Sequence, residues 1–468
     1  MIRIAVVGAG ISGLTTAHYL STGLEKSGGT ADIFIFESAA EPGGTMRTVR
    51  EQGFLMEWGP NGFLTNKPQA WELVRELGME SRLLRSCDLA RQRFIWAGGR
   101  MHRLPETPPA FLRSHLLSWP GRLRVMAEPF APAPPADRDE SIAEFAIRRL
   151  GAEALEKLIE PMTAGVFAGN PDELSLRSCF PRIHELEDRY GGLIMAMMRL
   201  RWERRGRAAA PAMSAGPGGV LTSFDTGVQA LVEVLAGRLK ANLRLGCAVK
   251  AVTCRQGKYR LAVPSAPDDD EYDVVVVAAP SYAAGEILRG LDEGLAAELD
   301  RIPYAPVAVV ALGFDAGALH RPLDGFGFLV PRQEGRRILG ALWDSSVFPG
   351  RAPRDKALIR VMVGGARQPG LARLHEDELT TLARAELRET MGITAGPSLA
   401  RVFRHEHGIP QYLQGHPRLL ERVSSRLAAW PGLHLNSNAY RGVSLNDCVR
   451  QSRIAAERVL DDLNDRMG

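Results

Sequence analysis

The run Gly8-Ala9-Gly10-Ile11-Ser12-Gly13 sets three glycines at the spacing that lets a backbone close on a pyrophosphate. The first permits a tight turn, the second leaves room for the phosphates, and the third lets a helix pack on the preceding strand with its positive end toward the anion. Glu37, followed by Ser38, stands 24 residues beyond Gly13, where a carboxylate accepts the two hydroxyls of a ribose. A carboxylate there repels a 2′-phosphate, which disfavours NADP. Gly43-Gly44 and Arg47 come next and bring backbone and a guanidinium to the second side of the pyrophosphate, the feature that separates FAD from NAD.

At the other end of the chain, Asn438 and the turn Gly442-Val443-Ser444-Leu445 lead into a closing helix. Such a helix needs only an apolar stripe and an N-cap, which Ile454, Ala455, Val459 and Leu460 with Asn446 or Asp447 supply. The glycine turn is surplus to that and asks for a ligand.

These residues need a scaffold. Residues 2–7 form an apolar strand, Leu14, Ala17, His18 and Leu20 give a helical stripe, and "DIFIFE" is a second strand, so the glycines sit in a βαβ unit. Helical text is expected at 71–84, 141–159, 184–204, 228–239 and 376–391, with a hairpin turning at Gly98-Gly99. "APAPPADRDE" is a proline-rich linker, and 206–219 is a Gly/Pro/Ala passage. Strand-like runs fill 300–430, so a mostly β region is expected between pieces of an α/β one.

At 468 residues, 45% hydrophobic and 24% charged, the chain exceeds the size of one core, and two or three domains are expected. A net charge of +4 without a long basic block argues against nucleic acid as a partner. The five cysteines are an odd number with no metal-ligand spacing, so free thiols in a reducing compartment and no metal are expected. The apolar start runs straight into glycines and is a buried strand, unlike a signal peptide, and no stretch is long and apolar enough to span a bilayer.

The double pyrophosphate clamp resembles the monoamine-oxidase-like superfamily of FAD enzymes. That resemblance implies that Val249 lays its backbone against the adenine, that residues 275–280 cover the nucleotide, and that the terminal segment, with Asn438, Val443, Ser444 and Leu445, returns to the flavin ring. "GPNGF", "GVFAGNPDELSLRSCFP", "GFGFLVP", "MVGGARQPG", "GIPQY" and "NAYRGVSLNDC" resemble, in order and over essentially the whole chain, the oxygen-dependent protoporphyrinogen oxidase family. What this implies is a six-electron oxidation of protoporphyrinogen IX to protoporphyrin IX in haem biosynthesis, with non-covalent FAD passing electrons to oxygen and yielding hydrogen peroxide.

By the same resemblance, Gly59, Pro60, Asn61 and Gly62 lie near the flavin, and His405 stands at its edge. Arg93 is expected to hold a substrate propionate with its planar fork; Arg91, read as lying on the same strand face, competes for that role. Gly165 is expected over the macrocycle, where a side chain would collide, and Phe326, Leu329 and Met362 against the pyrrole rings. No side-chain acid or base is nominated, since hydride loss from a methylene bridge needs mainly a flavin beside an apolar slot.

The implied fold class is α/β. It combines a Rossmann-type (p-hydroxybenzoate-hydroxylase-like) FAD domain at 1–70, 216–285 and 433–468 with a mixed β substrate domain at 71–97, 193–215 and 286–432 and a helical membrane-binding domain at 98–192. Phe111 to Phe130 mixes leucines and Trp119 with arginines, which suits helices lying in a membrane surface and a cytoplasmic protein bound peripherally to it. A homodimer and hand-over of product to ferrochelatase are left open. Rival readings are coproporphyrinogen III oxidation, a carotenoid or amine oxidoreductase, and a non-catalytic flavoprotein scaffold; Cys448 sits wrongly, inside the helix start, for a covalent flavin bond.

Overall fold

The computed structural model describes residues 2–105, 107–134, 138–204, 219–264 and 270–467. Most of the Gly/Pro/Ala passage 206–219 and part of the proline-rich linker lie outside the described residues.

Strand β1 (Ile2–Val7) runs into the glycine turn, helix α1 (Ile11–Ser27) starts inside it, and β2 (Ala31–Phe36) completes the unit. The helix expected over 71–84 is shorter, Gln69–Glu76, because Gly78 at φ +69 turns the chain and Leu83–Arg85 continues as a strand. β3 (Arg93–Ala97) and β4 (Arg100–Arg103) form the expected hairpin, with Gly98 and Gly99 at φ +56 and +76.

The text at 141–159 is not one helix. It begins as Ile142–Arg149 under a Ser141/Glu144 capping box and is broken by Gly151 at φ +92. It then widens into a π turn over Leu155–Ile159. Pro161 has no N–H to return to that turn, so the ladder shifts before α2 (Glu160–Phe167). Gly191, at φ +75, likewise divides 184–204 into Pro181–Tyr190 and Leu193–Arg204.

The later elements are β5 (Leu243–Arg244), β6 (Val274–Val277), β7 (Tyr304–Asp315), β8 (Gly327–Leu329), β9 (Gly340–Leu342), β10 (Lys356–Gly364), α3 (Glu376–Met391), β11 (Leu399–Pro410), α4 (His416–Leu427), β12 (Leu433–Leu435) and α5 (Leu445–Met467).

Two sheets carry the architecture. The first is parallel, in the order β5-β2-β1-β6-β12, and is buried on both sides. Ile4 and Val6 pack with Leu14, Leu20 and Val459 on one side, while Ala5 and Val7 pack with Val275 and Val277 on the other. The second has the order β11-β7-β10-β9-β8-β3-β4, so the early hairpin is joined to strands more than two hundred residues later through the parallel pair β8–β3. Its back face, with Val310, Leu312, Ile359 and Val361, is covered by Leu379, Leu382 and Leu387 of α3. The front face carries Leu329, Met362 and Phe403.

Candidate flavin and substrate site

The glycine turn is tight on one side and open on the other. Gly8 sits at φ +107, with the Ala278 carbonyl 3.1 Å from where a Cβ would stand, and a Cβ on Gly13 would overlap the Gly8 carbonyl oxygen. Gly10, by contrast, faces open space, and no atom lies within 4 Å of its would-be Cβ. Gly10 forms a parallel bridge with Gly43, whose N–H donates to the Ala9 carbonyl at 2.9 Å, and Gly44 lies over Gly10. The two glycine loops thus form one cradle.

Glu37 accepts the Ala9 N–H at 2.7 Å through one oxygen and the Ala39 N–H at 2.9 Å through the other, while the Ser38 hydroxyl donates to it at 3.2 Å. Two backbone donors therefore fix the carboxylate beside the glycine turn. Val249 is buried, but it lies in the connection after β5 and not in a strand; Cys247 N–H, two residues earlier, bonds the Glu37 carbonyl and brings the segment beside Glu37. The Arg47 guanidinium is 4.9 Å from the Trp58 ring, and its Nε is buried without a partner among the described residues.

The terminal turn reaches the same end of the fold. Ser452 Oγ donates to the Ser12 carbonyl at 3.0 Å and Leu460 packs beside Gly23, so α5 and α1 run parallel with their N-termini at one end. Ser444 caps α5 by accepting the Asp447 N–H at 3.3 Å, with Leu445 buried behind it, and Gly442 is held at φ +83 against Asp447. The Tyr412 hydroxyl donates to the Asn438 carbonyl, and Val443 packs in the cluster with Tyr412 and Phe167.

The front face of the second sheet gathers the remaining expected residues by register. Ile95, Leu329, Gly340, Met362, Val309 and Phe403 pair across β3, β8, β9, β10, β7 and β11 as one row, and residues paired this way share a face. Arg93, Gly327, Leu342 and Arg360 form the adjacent row on the same face. Arg93 is exposed at the start of β3, with its guanidinium 5.3 Å from the Phe326 ring. Arg91 is not on that face: it ends a 3-10 turn before the strand and lies 3.9 Å from Asp88. Above Leu329, Gly165 of α2 comes so close that a Cβ would stand 2.9 Å from Leu329 Cδ2.

The 59–62 loop lies over this face. A Cβ on Gly59 would be 2.7 Å from the Thr45 carbonyl, and one on Gly62 would overlap that of Thr222. His405, on β11, bonds the Trp58 carbonyl at 2.9 Å just before the loop, and burial pushes its imidazole below the ordinary value, so it stands as a neutral N–H donor. It anchors the loop and is not a free base.

Two buried ion pairs under the loop were not anticipated. Arg360 forks onto the Asp344 carboxylate, with Nη2 to Oδ1 at 3.2 Å, and its Nη1 donates to the carbonyls of Glu57 and Gly59 at 2.9 and 3.3 Å. Asp344 also accepts from the Asn61 side-chain amide at 3.4 Å. Glu57 accepts the Val228 N–H and pairs with Arg351, each at 3.1 Å. Burial pushes its carboxyl up against the opposing pull of Arg351. The one available signal was a charged residue inside an otherwise apolar run, Arg360 in "ALIRVMV" and Asp344 after "GALW". Among the described residues no group of three or more His, Cys, Asp or Glu is placed to hold a metal.

A model of the family described as flavin containing amine oxidoreductase matches residues 11–460. The coproporphyrinogen III oxidase of Bacillus subtilis (strain 168) is 29% identical over 468 residues, 98% of either chain. The chloroplastic protoporphyrinogen oxidase of Oryza sativa subsp. japonica is 33% identical over 98% of this chain and 88% of its own. A crystal structure from Exiguobacterium sp. 255-15, of a protein provisionally named a protoporphyrinogen oxidase, matches with a TM-score of 0.83 at 27% identity over 99% of both chains. This match over nearly its whole length makes the chain a flavin-dependent oxidoreductase that belongs to the flavin-containing amine oxidoreductase family.

Proposed function

We propose that the protein oxidises protoporphyrinogen IX to protoporphyrin IX, removing six electrons and six protons in three steps, with three molecules of dioxygen reduced to three of hydrogen peroxide. The observation that carries this reading is the front face of the second sheet. It sets Leu329 and Met362 in one apolar row, Arg93 at the β3 end of the adjacent row, Gly165 above Leu329 and the 59–62 loop alongside. FAD, when bound, accepts two electrons at a time and passes them to oxygen.

The chain's residues do the positioning. The glycine cradle, Glu37 and Arg47 hold the nucleotide, and the turn 442–445 presents backbone and a helix N-terminus to the flavin end. Leu329, Met362 and Phe326 flank the macrocycle, Gly165 leaves it room, and the Arg93 fork takes one propionate. The cofactor is held without a covalent bond: burial pushes the Cys448 thiol up to about 12, so it is protonated and shut inside α5.

We extend the reading to attachment at a membrane surface from the cytoplasmic side through the helices of residues 98–192 and the adjoining helix Leu193–Arg204. Trp119 is 64%, Phe130 88% and Trp202 75% exposed, and Met162 and Val166 stand exposed on either side of Gly165, so an apolar surface borders the slot. No described helix is long and apolar enough to cross a membrane.

Coproporphyrinogen III is the second reading, because the Bacillus relative named for it matches this chain end to end. An aerobic assay of the purified protein with each porphyrinogen, following porphyrin fluorescence and peroxide together, decides. We expect faster turnover of protoporphyrinogen with about three peroxides per porphyrin; preference for coproporphyrinogen moves the substrate assignment, and inertness of both with FAD bound overturns it.

A further inference from the structure

We propose that Glu160 and Arg367 are positioning residues for the substrate slot: they clamp α2 to the ends of the two strands that carry Leu329 and Met362, and so fix how closely Gly165 approaches Leu329.

Helix α2 is eight residues long, too short to hold its place alone. Met162 and Val166 on it stay exposed and add no burial, so its position depends on how its ends are tied. Glu160, its first residue, is 7% exposed. One carboxylate oxygen accepts the Arg332 N–H at 3.0 Å, and the other accepts from Arg367 Nη1 at 2.8 Å. Arg332 lies three residues beyond β8, and Arg367 three beyond β10. Those strands run the same way, each being antiparallel to β9, so both emerge at one edge of the sheet. Glu160 thus bridges the strand of Leu329 to the strand of Met362.

Both partners of Glu160 are donors, so the bridge needs an acceptor oxygen on each side, which a carboxylate supplies and an amide does not. Arg367 also reaches the far end of the helix. Its Nη2 and Nε donate to Asn170 Oδ1 at 2.7 and 3.1 Å, and Asp172 lies 3.5 Å from Nη2. One planar guanidinium therefore spans α2 from its first residue to the turn after its last. That turn has a second tie: Ala168, at φ +47, accepts the Ala366 N–H at 2.7 Å through its carbonyl. With a Cβ on Gly165 set to stand 2.9 Å from Leu329 Cδ2, a small shift of α2 decides whether Leu329 keeps its place in the apolar row.

The inference rests on the porphyrinogen reading above, and a double-mutant cycle tests it. In the full-length, flavin-loaded protein, Gly165→Ala, Glu160→Gln and the pair are compared with the parent. The readouts are flavin content, melting temperature and the dissociation constant for protoporphyrin, measured by fluorescence quenching. Alone, Gly165→Ala pushes on Leu329 and is expected to weaken protoporphyrin binding about tenfold, within the range that overpacking gives. Glu160→Gln, whose NH2 must face one of the two donors, is expected to free α2 and to weaken binding about threefold on its own. In that background the added methyl can be accommodated, so the Gly165→Ala loss should shrink to about threefold or less. A role in stability alone would lower the melting temperature and leave the two losses additive.

The proposal falls if Gly165→Ala costs the same in both backgrounds to within about twofold, or if Glu160→Gln melts earlier yet binds protoporphyrin like the parent. Should Glu160→Gln not fold, Arg367→Lys takes its place in the cycle. At this partly exposed site lysine keeps the carboxylate paired, but its ammonium cannot fork between Glu160 and Asn170. Relief of the Gly165→Ala loss then supports the clamp, and additive losses overturn it. A parent protein that carries flavin and binds no protoporphyrin sinks the functional reading instead. The clamp is then judged by melting temperature: the Gly165→Ala loss should shrink in Glu160→Gln, and an unchanged loss overturns it.

Discussion

Gly10 and Gly13 lie one helical turn apart, and a single methyl group would meet opposite fates at the two. At Gly13 it would overlap the Gly8 carbonyl, so Gly13→Ala is expected to cost about 1–3 kcal/mol by overpacking, seen as an earlier urea midpoint of the flavin-free chain. At Gly10 it would enter open space at φ −71, so Gly10→Ala is expected to leave that midpoint unchanged and to lower flavin content on purification. A Gly10 variant that keeps its yellow colour would move the phosphates elsewhere. The strand, glycine turn and helix were legible because that motif dictates residue types at fixed spacing. The Asp344–Arg360 fork was not, because nothing in a strand's composition names a partner on another element. Arg91 and Arg93 were indistinguishable by type, and the 3-10 turn that separates them depends on how Cys87 to Gln92 packs against β8 and its neighbours.

Elements were recognisable where one period ran unbroken, as in the helix 376–391, and mistaken where a glycine in the left-handed region interrupted a helical pattern, as at Gly78, Gly151 and Gly191. The row across six strands was invisible beforehand, since register arises only when strands pair. Two histidines act as fasteners between such elements. His405 ties β11 to the segment before Gly59, and His416 of α4 bonds the Tyr440 carbonyl at 3.0 Å while stacking on Tyr412 at 4.5 Å. Burial holds both imidazoles below the ordinary 6.5, against the weaker upward pull of those carbonyls. Between the folded values and 6.5 the unfolded chain binds the extra protons, so this stabilisation is complete above about 6.5 and is lost as pH falls through the folded values. A urea midpoint that declines from pH 7.5 to 5, with the decline reduced in His416→Gln, is expected; identical slopes in both proteins would show that other groups control it.

For the molecule as a whole, the exposed aromatic and aliphatic side chains of the helical segment should govern where it resides. Co-sedimentation with anionic phospholipid vesicles is expected for the parent, and changing Trp119, Phe130 and Trp202 together to serine should weaken it at least tenfold, about the smallest loss expected from that much apolar contact, with turnover of detergent-dispersed substrate retained. Equal sedimentation of the two would remove the surface from the functional reading. The partnership of α1 with α5 has a consequence in time. During synthesis, at roughly 5–20 residues per second, the cradle emerges on the order of tens of seconds before the helix that completes it. Until then the apolar flank of α1 has no mate, and any flavin captured early would be held by half a site. Cofactor loading should therefore be among the last events in the life of the nascent chain, and ribosomes stalled ahead of Leu445 should carry a polypeptide that depends on chaperones and retains no colour.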